Sequence, residues 1–159
     1  MNNSLLVTQA TISDLEDLVY LFDEYRVFYK QESDMTNARK FLFDRFEHRE
    51  SIIFIVKDLN LNKAIGFTQL YPSFSSVSMQ RSWILNDLYV LEGHRGLGAA
   101  QLLLESVKEY ARKTNAKGVA LSTAIDNVRA QGIYERLGYK KDQDFYHYYL
   151  KLKDVDFNE

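Results

Sequence analysis

The spacing of apolar residues along this chain switches between a period of two and a period near 3.6, which predicts strands alternating with helices. Strands are predicted at 5–8, 51–57, 64–71, 82–91, 117–123 and 146–152, and later helices at 37–48, 97–113 and 127–137. The turn-rich segment 58–63 joins two strands into a hairpin, and Pro72, the only proline, is expected to end the second strand. This order predicts the α/β class.

Residues at the helix ends support these predictions. Thr11 and Ser13 are alternative N-caps of a first helix that extends to residue 29, because each has an acidic residue three positions later. Asn127 is expected to cap the last helix, and Gly138 to end it. Two apolar faces follow from the helical period: Leu15, Leu18, Val19, Phe22, Tyr25 and Tyr29 in the first helix, and Ala130, Ile133, Tyr134 and Leu137 in the last.

A glycine-bearing turn lies between the strand at 82–91 and the helix at 97–113. Gly96 and Gly98 allow close approach of the backbone, and the first N–H groups of a helix attract anions because they have no intrahelical partner. An ordinary tight turn would also need glycines. The turn has neither the third glycine of a dinucleotide fingerprint nor the Gly-Lys-Ser/Thr of a P-loop. The turn therefore predicts a phosphate site of another kind.

Two ordered motifs resemble the GNAT superfamily of acetyl-coenzyme A dependent N-acyltransferases. The first is Arg95-x-x-Gly98-x-Ala100, and the second is Asn127-x-x-Ala130-x-x-x-Tyr134 followed by Leu137, Gly138 and Tyr139. The resemblance implies a single-domain GNAT fold over residues 1–154 with a short tail at 155–159. Its mixed, mostly antiparallel central sheet would be flanked by helices and splayed at the cofactor site.

Composition agrees with this assignment and narrows the partners. A chain of 159 residues with 46% hydrophobic content is expected to form one core. A net charge of −2 without a basic stripe argues against nucleic acid, and no run is long enough to span a membrane. The absence of cysteine and of a signal-peptide pattern favours a cytoplasmic enzyme. The three histidines have no metal-ligand spacing, so no metal is expected.

The resemblance also implies where acetyl-CoA binds as cosubstrate. It would lie along the strand at 86–90, with main-chain groups of Leu88 and Val90 pairing with the pantetheine beside Tyr89. Asn127 would donate a hydrogen bond to the pantetheine. The pyrophosphate would lie against Arg95, Gly96, Leu97, Gly98, Ala99, Ala100 and Gln101.

Acetyl transfer to an amine requires a neutral amine, stabilisation of an oxyanion and a proton for the departing thiolate. The family places a proton donor at Tyr134, and a phenol is neutral at pH 7. Many members carry Glu at the place of Asn86, whose amide cannot accept a proton at neutral pH. Asp87 or a water chain is then the candidate base. Regular alternation turns Asp87 away from Asn86 and Leu88, so a purely structural role for Asp87 stays open.

The acceptor side is less specific. Tyr25, Phe28, Tyr29, Phe74 and Trp83 are candidate walls of a substrate pocket, and core packing explains the same aromatic residues. A second set would suit a cationic amine if it converged, and solvated charges are its alternative: Asp23, Glu24, Glu32, Asp34 and Asp87.

Segments 25–29 and 85–90 resemble the branch with diamine acetyltransferases and a yeast histone and polyamine acetyltransferase. The predicted function is acetylation of a primary amine of a small molecule, such as a polyamine or an amino-acid-like compound. Protein-lysine or histone acetylation and non-catalytic acyl-CoA binding are the alternatives. Aromatic residues on both faces of the predicted strand at 146–152 favour a homodimer.

Overall fold

The structure, a computed structural model, describes residues 4–152. The chain divides after Ser122 into two compact units, and each is described here by itself. The expected single domain over 1–154 stays a prediction, and the predicted tail at 155–159 lies outside the described residues.

The elements follow the predicted order. The first unit contains β1 (Leu5–Gln9), a 3₁₀ turn (Ile12–Asp14), α1 (Leu15–Phe28), α2 (Met35–Glu47), β2 (Ile52–Asp58), β3 (Lys63–Ser75), β4 (Gln80–Val90), α3 (Ala99–Lys113) and β5 (Val119–Leu121). The second unit contains α4 (Val128–Arg136).

The five strands form one sheet in the order β1-β2-β3-β4-β5. Every neighbouring pair is antiparallel except β4 and β5, which are parallel. Residues of α1 and α2 form a core with Ile55 and Phe67 on one face of the sheet. On the other face, Tyr110 of α3 packs against Phe54 and Trp83. The prediction of a mixed, mostly antiparallel sheet with flanking helices is therefore confirmed.

Local hydrogen bonds decide where the first two helices begin. Thr11 and Asp14 form a reciprocal capping box on the 3₁₀ turn that precedes α1, so Thr11 caps this turn, whereas the N-cap of α1 itself is Asp14 rather than either predicted residue. The Asp34 carboxylate accepts a hydrogen bond from the Asn37 N–H at 3.1 Å, and α2 therefore begins two residues before the predicted position.

The prediction that Pro72 ends a strand was wrong. β3 continues to Ser75, and Pro72 pairs with Trp83 of β4. The last β2–β3 pair is Ile52 with Leu70. At Pro72, β3 therefore has no paired neighbour among the described residues on the side where β2 lay. A proline at an edge costs no ladder hydrogen bond when its nitrogen faces the unpaired side.

The predicted last strand at 146–152 was also wrong, since these residues adopt no regular secondary structure. Their aromatic side chains are exposed, Tyr148 by 92%. A strand needs a neighbour to satisfy its backbone groups, and apolar side chains alone do not supply one. The apolar side chains of this segment alone therefore predicted a strand that does not form.

Candidate active site

A β-bulge in β4 sets the geometry of the candidate site. Gln69 pairs with Asp87 while Leu70 pairs with Leu85, so Asn86 is an extra residue without a partner in β3. Cross-strand partners share a face, and Asp87 therefore lies on the face of Gln69, beneath α1. Uninterrupted alternation would have placed Asp87 on the α3 face with Leu85. The predicted separation of Asp87 from Asn86 is also wrong, because Asn86 Nδ2 donates to Asp87 Oδ1 at 3.1 Å.

Beyond the bulge, β4 has an open edge. β5 pairs only with Trp83–Leu85, and within residues 4–152 the pairing does not continue along 86–90. The Leu91 N–H donates to Ile65 O at 2.8 Å and so points towards β3. Because a carbonyl and the next N–H point in opposite directions, the Val90 carbonyl points to the open edge, as do the Leu88 backbone groups. The splay expected at the cofactor site stays a prediction, because β5 ends at Leu121 and all three of its residues pair with β4.

The turn between β4 and α3 leaves the start of α3 open. Gly93, Gly96 and Gly98 adopt left-handed φ angles of 90°, 81° and 93°, a conformation that other residues rarely adopt. Gly98 is the N-cap of α3 and supplies no side-chain cap, and the first turn of α3 carries no acidic residue. The N–H groups of Ala99, Ala100 and Gln101 at the start of α3 therefore have no side-chain cap and can bind an anion.

Arg95 occupies the same turn, and its side chain lies against the acceptor-side aromatic residues. Its Nε donates to the Val90 carbonyl at 2.8 Å. Its Cζ lies 4.9 Å from the ring centre of Phe28 and 5.5 Å from that of Tyr89, within the range of cation–π attraction. The Val90 carbonyl is thereby occupied, so the Val90 N–H and the Leu88 groups remain directed at the open edge.

Asp87 is 5% exposed and is surrounded by polar and aromatic side chains. Gln69 Nε2 donates to Asp87 Oδ2 at 2.7 Å, and the Thr68 hydroxyl donates to the Asp87 carbonyl at 2.7 Å. Burial and the charge of Asp87 raise the pKa of Tyr71 to about 12. Burial, followed by the charge of Asp87 and hydrogen bonding to it, raises the pKa of Tyr25 further. Both phenols are therefore neutral donors at pH 7.

Three of the five predicted acceptor-wall residues lie together. Tyr25 packs against Tyr29 and Tyr89 with ring centroids 5.1 and 5.7 Å apart, and Phe28 lies 6.0 Å from Tyr89. Phe28 and Tyr29 are each more than half exposed. This arrangement leaves ring surface at the carboxyl end of α1 for a ligand.

Trp83 and Phe74 do not join this wall. Trp83 lies before the bulge and so packs on the opposite face, where it is buried against Tyr110 and donates to the Thr114 hydroxyl at 3.0 Å. Phe74 lies near the end of β3, exposed and beneath the Arg81 guanidinium. Neither placement supports their predicted role in the same pocket as Tyr25.

The acidic residues do not all converge either. Asp23 is buried between α1 and α2, where its carboxylate accepts hydrogen bonds from the Ser33 hydroxyl and the Asp34 N–H, both at 2.7 Å. Asp34 caps α2. Their carboxylates therefore stabilise the α1–α2 connection, and Asp87 is the acid beside Tyr25.

The second unit shows the local structure predicted for the second motif. Asn127 Oδ1 accepts a hydrogen bond from the Ala130 N–H at 3.2 Å and caps α4, and Gly138 follows the helix with a left-handed φ of 101°. Tyr134 is partly buried in α4, with its ring centroid 5.7 Å from that of Tyr139. The roles of Asn127 and Tyr134 towards acetyl-CoA stay predictions.

Sequence reasoning missed Gln69 and Tyr71. Both lie on the same β3 face as Phe67, at the spacing of two that places side chains on one side of a strand. The available signal was a glutamine between Phe67 and Tyr71 on one face of a predicted strand, since a polar group buried there requires a partner.

No helix within residues 4–152 is long and apolar enough to cross a membrane. No group of three or more His, Cys, Asp or Glu residues in that range could hold a metal ion.

The chain matches the model of the acetyltransferase (GNAT) family over residues 15–139. It is 45% identical over 146 residues to an uncharacterized N-acetyltransferase of Bacillus subtilis, YhfO, covering 92% of this chain and 97% of that protein. It is 28% identical over 150 residues to the D-amino-acid N-acetyltransferase HPA3 of Saccharomyces cerevisiae, covering 92% and 91%.

A solved structure has the same fold at high similarity. The crystal structure of a probable acetyltransferase superposes with a TM-score of 0.89 at 43% identity, covering 94% of this chain and 99% of that one. The architecture, the open edge of β4 and the uncapped start of α3 therefore occur in a chain whose relatives are named acetyltransferases.

Proposed function

The chain belongs to the acetyltransferase (GNAT) family and is an N-acetyltransferase, and from this premise we propose that it moves an acetyl group from acetyl-CoA to a primary amine of a small molecule. Both substrates would be bound together, and the amine would attack directly. The observation that carries the proposal is the open edge of β4, which leads into the uncapped start of α3 and borders the aromatic wall of α1.

The residues at this edge fit acetyl-CoA. Bound acetyl-CoA supplies a thioester whose acetyl carbon an amine can attack. Backbone groups of Leu88 and Val90 are directed where an extended pantetheine chain would add as a strand. The first N–H groups of α3 would hold the pyrophosphate, and a backbone N–H of β4 would stabilise negative charge on the carbonyl oxygen.

Two proton transfers complete the exchange. A nitrogen–carbon bond forms as the carbon–sulfur bond breaks, so the amine loses a proton and the thiolate gains one. Asp87, directly or through water, would accept the amine proton in place of the absent glutamate at Asn86. Tyr134 would donate the proton to the thiolate.

A small acceptor fits the wall formed by Tyr25, Phe28 and Tyr29. The Asp87 carboxylate is hydrogen-bonded to Tyr25 on this wall, whereas Asp23 and Asp34 lie in the α1–α2 connection and so form no row of acidic residues with it of the kind that suits a basic peptide. The relative named a D-amino-acid N-acetyltransferase supports an amino-acid-like acceptor as one of the two classes considered. The polyamine class and the branch that includes diamine acetyltransferases stay predictions.

A panel of acceptors with acetyl-CoA, followed by release of free thiol, tests the proposal. The panel contains polyamines, amino acids, amino sugars and lysine-bearing peptides. We expect release with at least one small amine above the rate with acetyl-CoA alone. Release with peptides alone would establish protein acetylation instead, and binding of acetyl-CoA without release under any condition would contradict catalysis on small amines.

A further inference from the structure

Asp87 is a buried carboxylate without a cationic partner. Among the ion pairs of the described residues, none includes Asp87. The other two buried aspartates, Asp23 and Asp58, accept hydrogen bonds from backbone N–H and hydroxyl groups in nearby turns. Asp87 instead accepts from the side-chain amides of Gln69 and Asn86 and from the neutral Tyr25 hydroxyl. Buried charges are normally paired, so this position favours a cation from outside the chain.

Gln69 adds a second, independent sign of a ligand. Its Nε2 donates to Asp87, which fixes the orientation of the amide, and its Oε1 is buried without a hydrogen-bond partner. An unpaired buried carbonyl oxygen is destabilising unless a donor reaches it. A group with several N–H donors, such as an ammonium, would satisfy Gln69 Oε1 and the Asp87 carboxylate together.

The opposite charge lies at the other end of the same wall. Asp87 and Tyr89 lie on one face of β4, and the Arg95 guanidinium lies over the rings of Tyr89 and Phe28. Only the Nε of Arg95 is engaged by Val90, so its Nη groups retain donors for an anion. The aromatic wall thus has a carboxylate at one end and a guanidinium at the other.

We infer that the acceptor is a zwitterion, an amine that carries an anionic group close by, as in an α-amino acid. Its ammonium group binds Asp87 and Gln69 Oε1, and its carboxylate binds the Nη groups of Arg95. Its side chain packs on Tyr25 and Phe28. This inference rests on the proposed function and assigns the acceptor class within it.

The same charges disfavour a polyamine. A chain with a second ammonium group would bring that group towards the Arg95 guanidinium, which repels it, and the Glu24 and Glu92 carboxylates that act on Tyr89 offset only part of this repulsion. An amine without a carboxylate would leave the Nη donors of Arg95 unmatched. Discrimination therefore depends on a repulsive element as well as an attractive one.

Matched pairs of acceptors test the inference in the wild-type protein. Each α-amino acid, in both enantiomers, is compared with the amine that lacks its carboxylate, and spermidine represents the polyamines. Free thiol release gives kcat/KM for each acceptor. We expect at least one amino acid to exceed both its decarboxylated partner and spermidine.

Arg95→Met isolates the guanidinium, and the ratio of kcat/KM for an amino acid to that for its decarboxylated amine is the measured quantity. Any contribution of Arg95 to acetyl-CoA binding lowers both rates and cancels in this ratio. Loss of a charge-assisted contact should lower the ratio by about tenfold or more. Arg112→Met, at an exposed arginine paired with Glu109 on α3, is the matched control and should leave the ratio unchanged.

Gln69→Met tests the other end. It keeps the length of the side chain and removes both polar atoms, so KM for the amino acid should rise while the Kd for coenzyme A, measured by calorimetry, is retained. A melting curve and the coenzyme A titration establish that this variant is folded.

The outcomes separate the inference from the proposed function. A ratio unaffected by Arg95→Met, or wild-type preference for spermidine, would overturn the zwitterion assignment while leaving small-amine acetylation intact. Thiol release with lysine-bearing peptides alone would overturn both.

Discussion

Among single residues, Tyr134 offers the sharpest test of the chemistry. Tyr134→Phe removes only the hydroxyl and keeps the ring that packs against Tyr139. If Tyr134 protonates the thiolate, kcat should fall by about 10²–10⁴ while the Kd for coenzyme A is retained. Turnover within about threefold of wild type, with the chemical step shown to limit the rate, would remove Tyr134 from the mechanism.

The neighbours of Asp87 predict how stability depends on alkaline pH. The pKa of Tyr71 is raised from 10 to about 12, so between these values the folded state binds more protons than the unfolded state. The stabilisation is complete below pH 10 and is lost as the pH rises through about 12.

Tyr71→Phe should therefore flatten the fall in the free energy of unfolding over this range, as measured by urea denaturation at several pH values. Tyr20→Phe, at an exposed position of α1, is the matched control. A wild-type curve and a Tyr71→Phe curve that decline in parallel would contradict the assigned environment of Tyr71.

The role of a residue was predictable where a local rule applied, and was not predictable where a contact with a distant part of the chain determines it. Asn127 as a cap follows from its own sequence neighbours. The contact of Gln69 with Asp87 joins residues 18 positions apart and depends on the register of two strands. The face occupied by Trp83 depends on that same register. Sequence spacing does not determine the register, so the acceptor wall was predicted only in part.

Among the elements, the start of α3 determines cofactor affinity in the proposed function. Gly98 has a left-handed φ of 93°, so any replacement strains the backbone. Gly98→Gln and Gly98→Glu share that strain and have similar size, and only the second adds a negative charge beside the pyrophosphate. Coenzyme A should bind about tenfold more weakly to Gly98→Glu than to Gly98→Gln, since such a charge is worth about 1–2 kcal/mol at most.

Calorimetric titration of the two variants measures this difference. The glutamate would itself favour the helix terminus, so Gly98→Glu should melt no lower than Gly98→Gln. Equal affinities in two folded variants would show that the phosphates do not lie at the start of α3.

Element types were mostly predictable because apolar periodicity and capping residues are local. The bulge at Asn86 escaped prediction because alternation assumes one residue per position on each strand. Pro72 was interpreted as a strand end because the sequence does not reveal that β2 stops before it. The segment 146–152 was interpreted as a strand because its side chains suit one, although its backbone adopts no regular secondary structure.

For the whole molecule, self-association remains a prediction from the exposed aromatic segment near the carboxyl end. Phe145, Tyr146, Tyr148 and Tyr149 are each at least 75% exposed, and exposed aromatic side chains that cluster in sequence are typical of protein–protein contacts. We expect a homodimer of twice the 18.6 kDa chain mass by light scattering at micromolar concentration. Tyr148→Ser together with Tyr149→Ser should weaken it, whereas Tyr20→Ser in α1 should not. A wild-type mass of 18.6 kDa would refute the dimer.

The open edge of β4 has a consequence for the exchange of amide hydrogens with solvent. The Leu91 N–H is bonded to Ile65 and should exchange slowly, whereas the Leu88 and Val90 N–H groups face no strand among the described residues and should exchange quickly. Fast and slow amides would then follow each other within four residues of one strand. Adding coenzyme A should slow Leu88 and Val90 selectively in NMR exchange measurements. Equal rates at all three amides before addition would mean that this edge is closed in solution. Slower exchange at Leu88 and Val90 alone after addition would mean that coenzyme A pairs with β4 as an added strand.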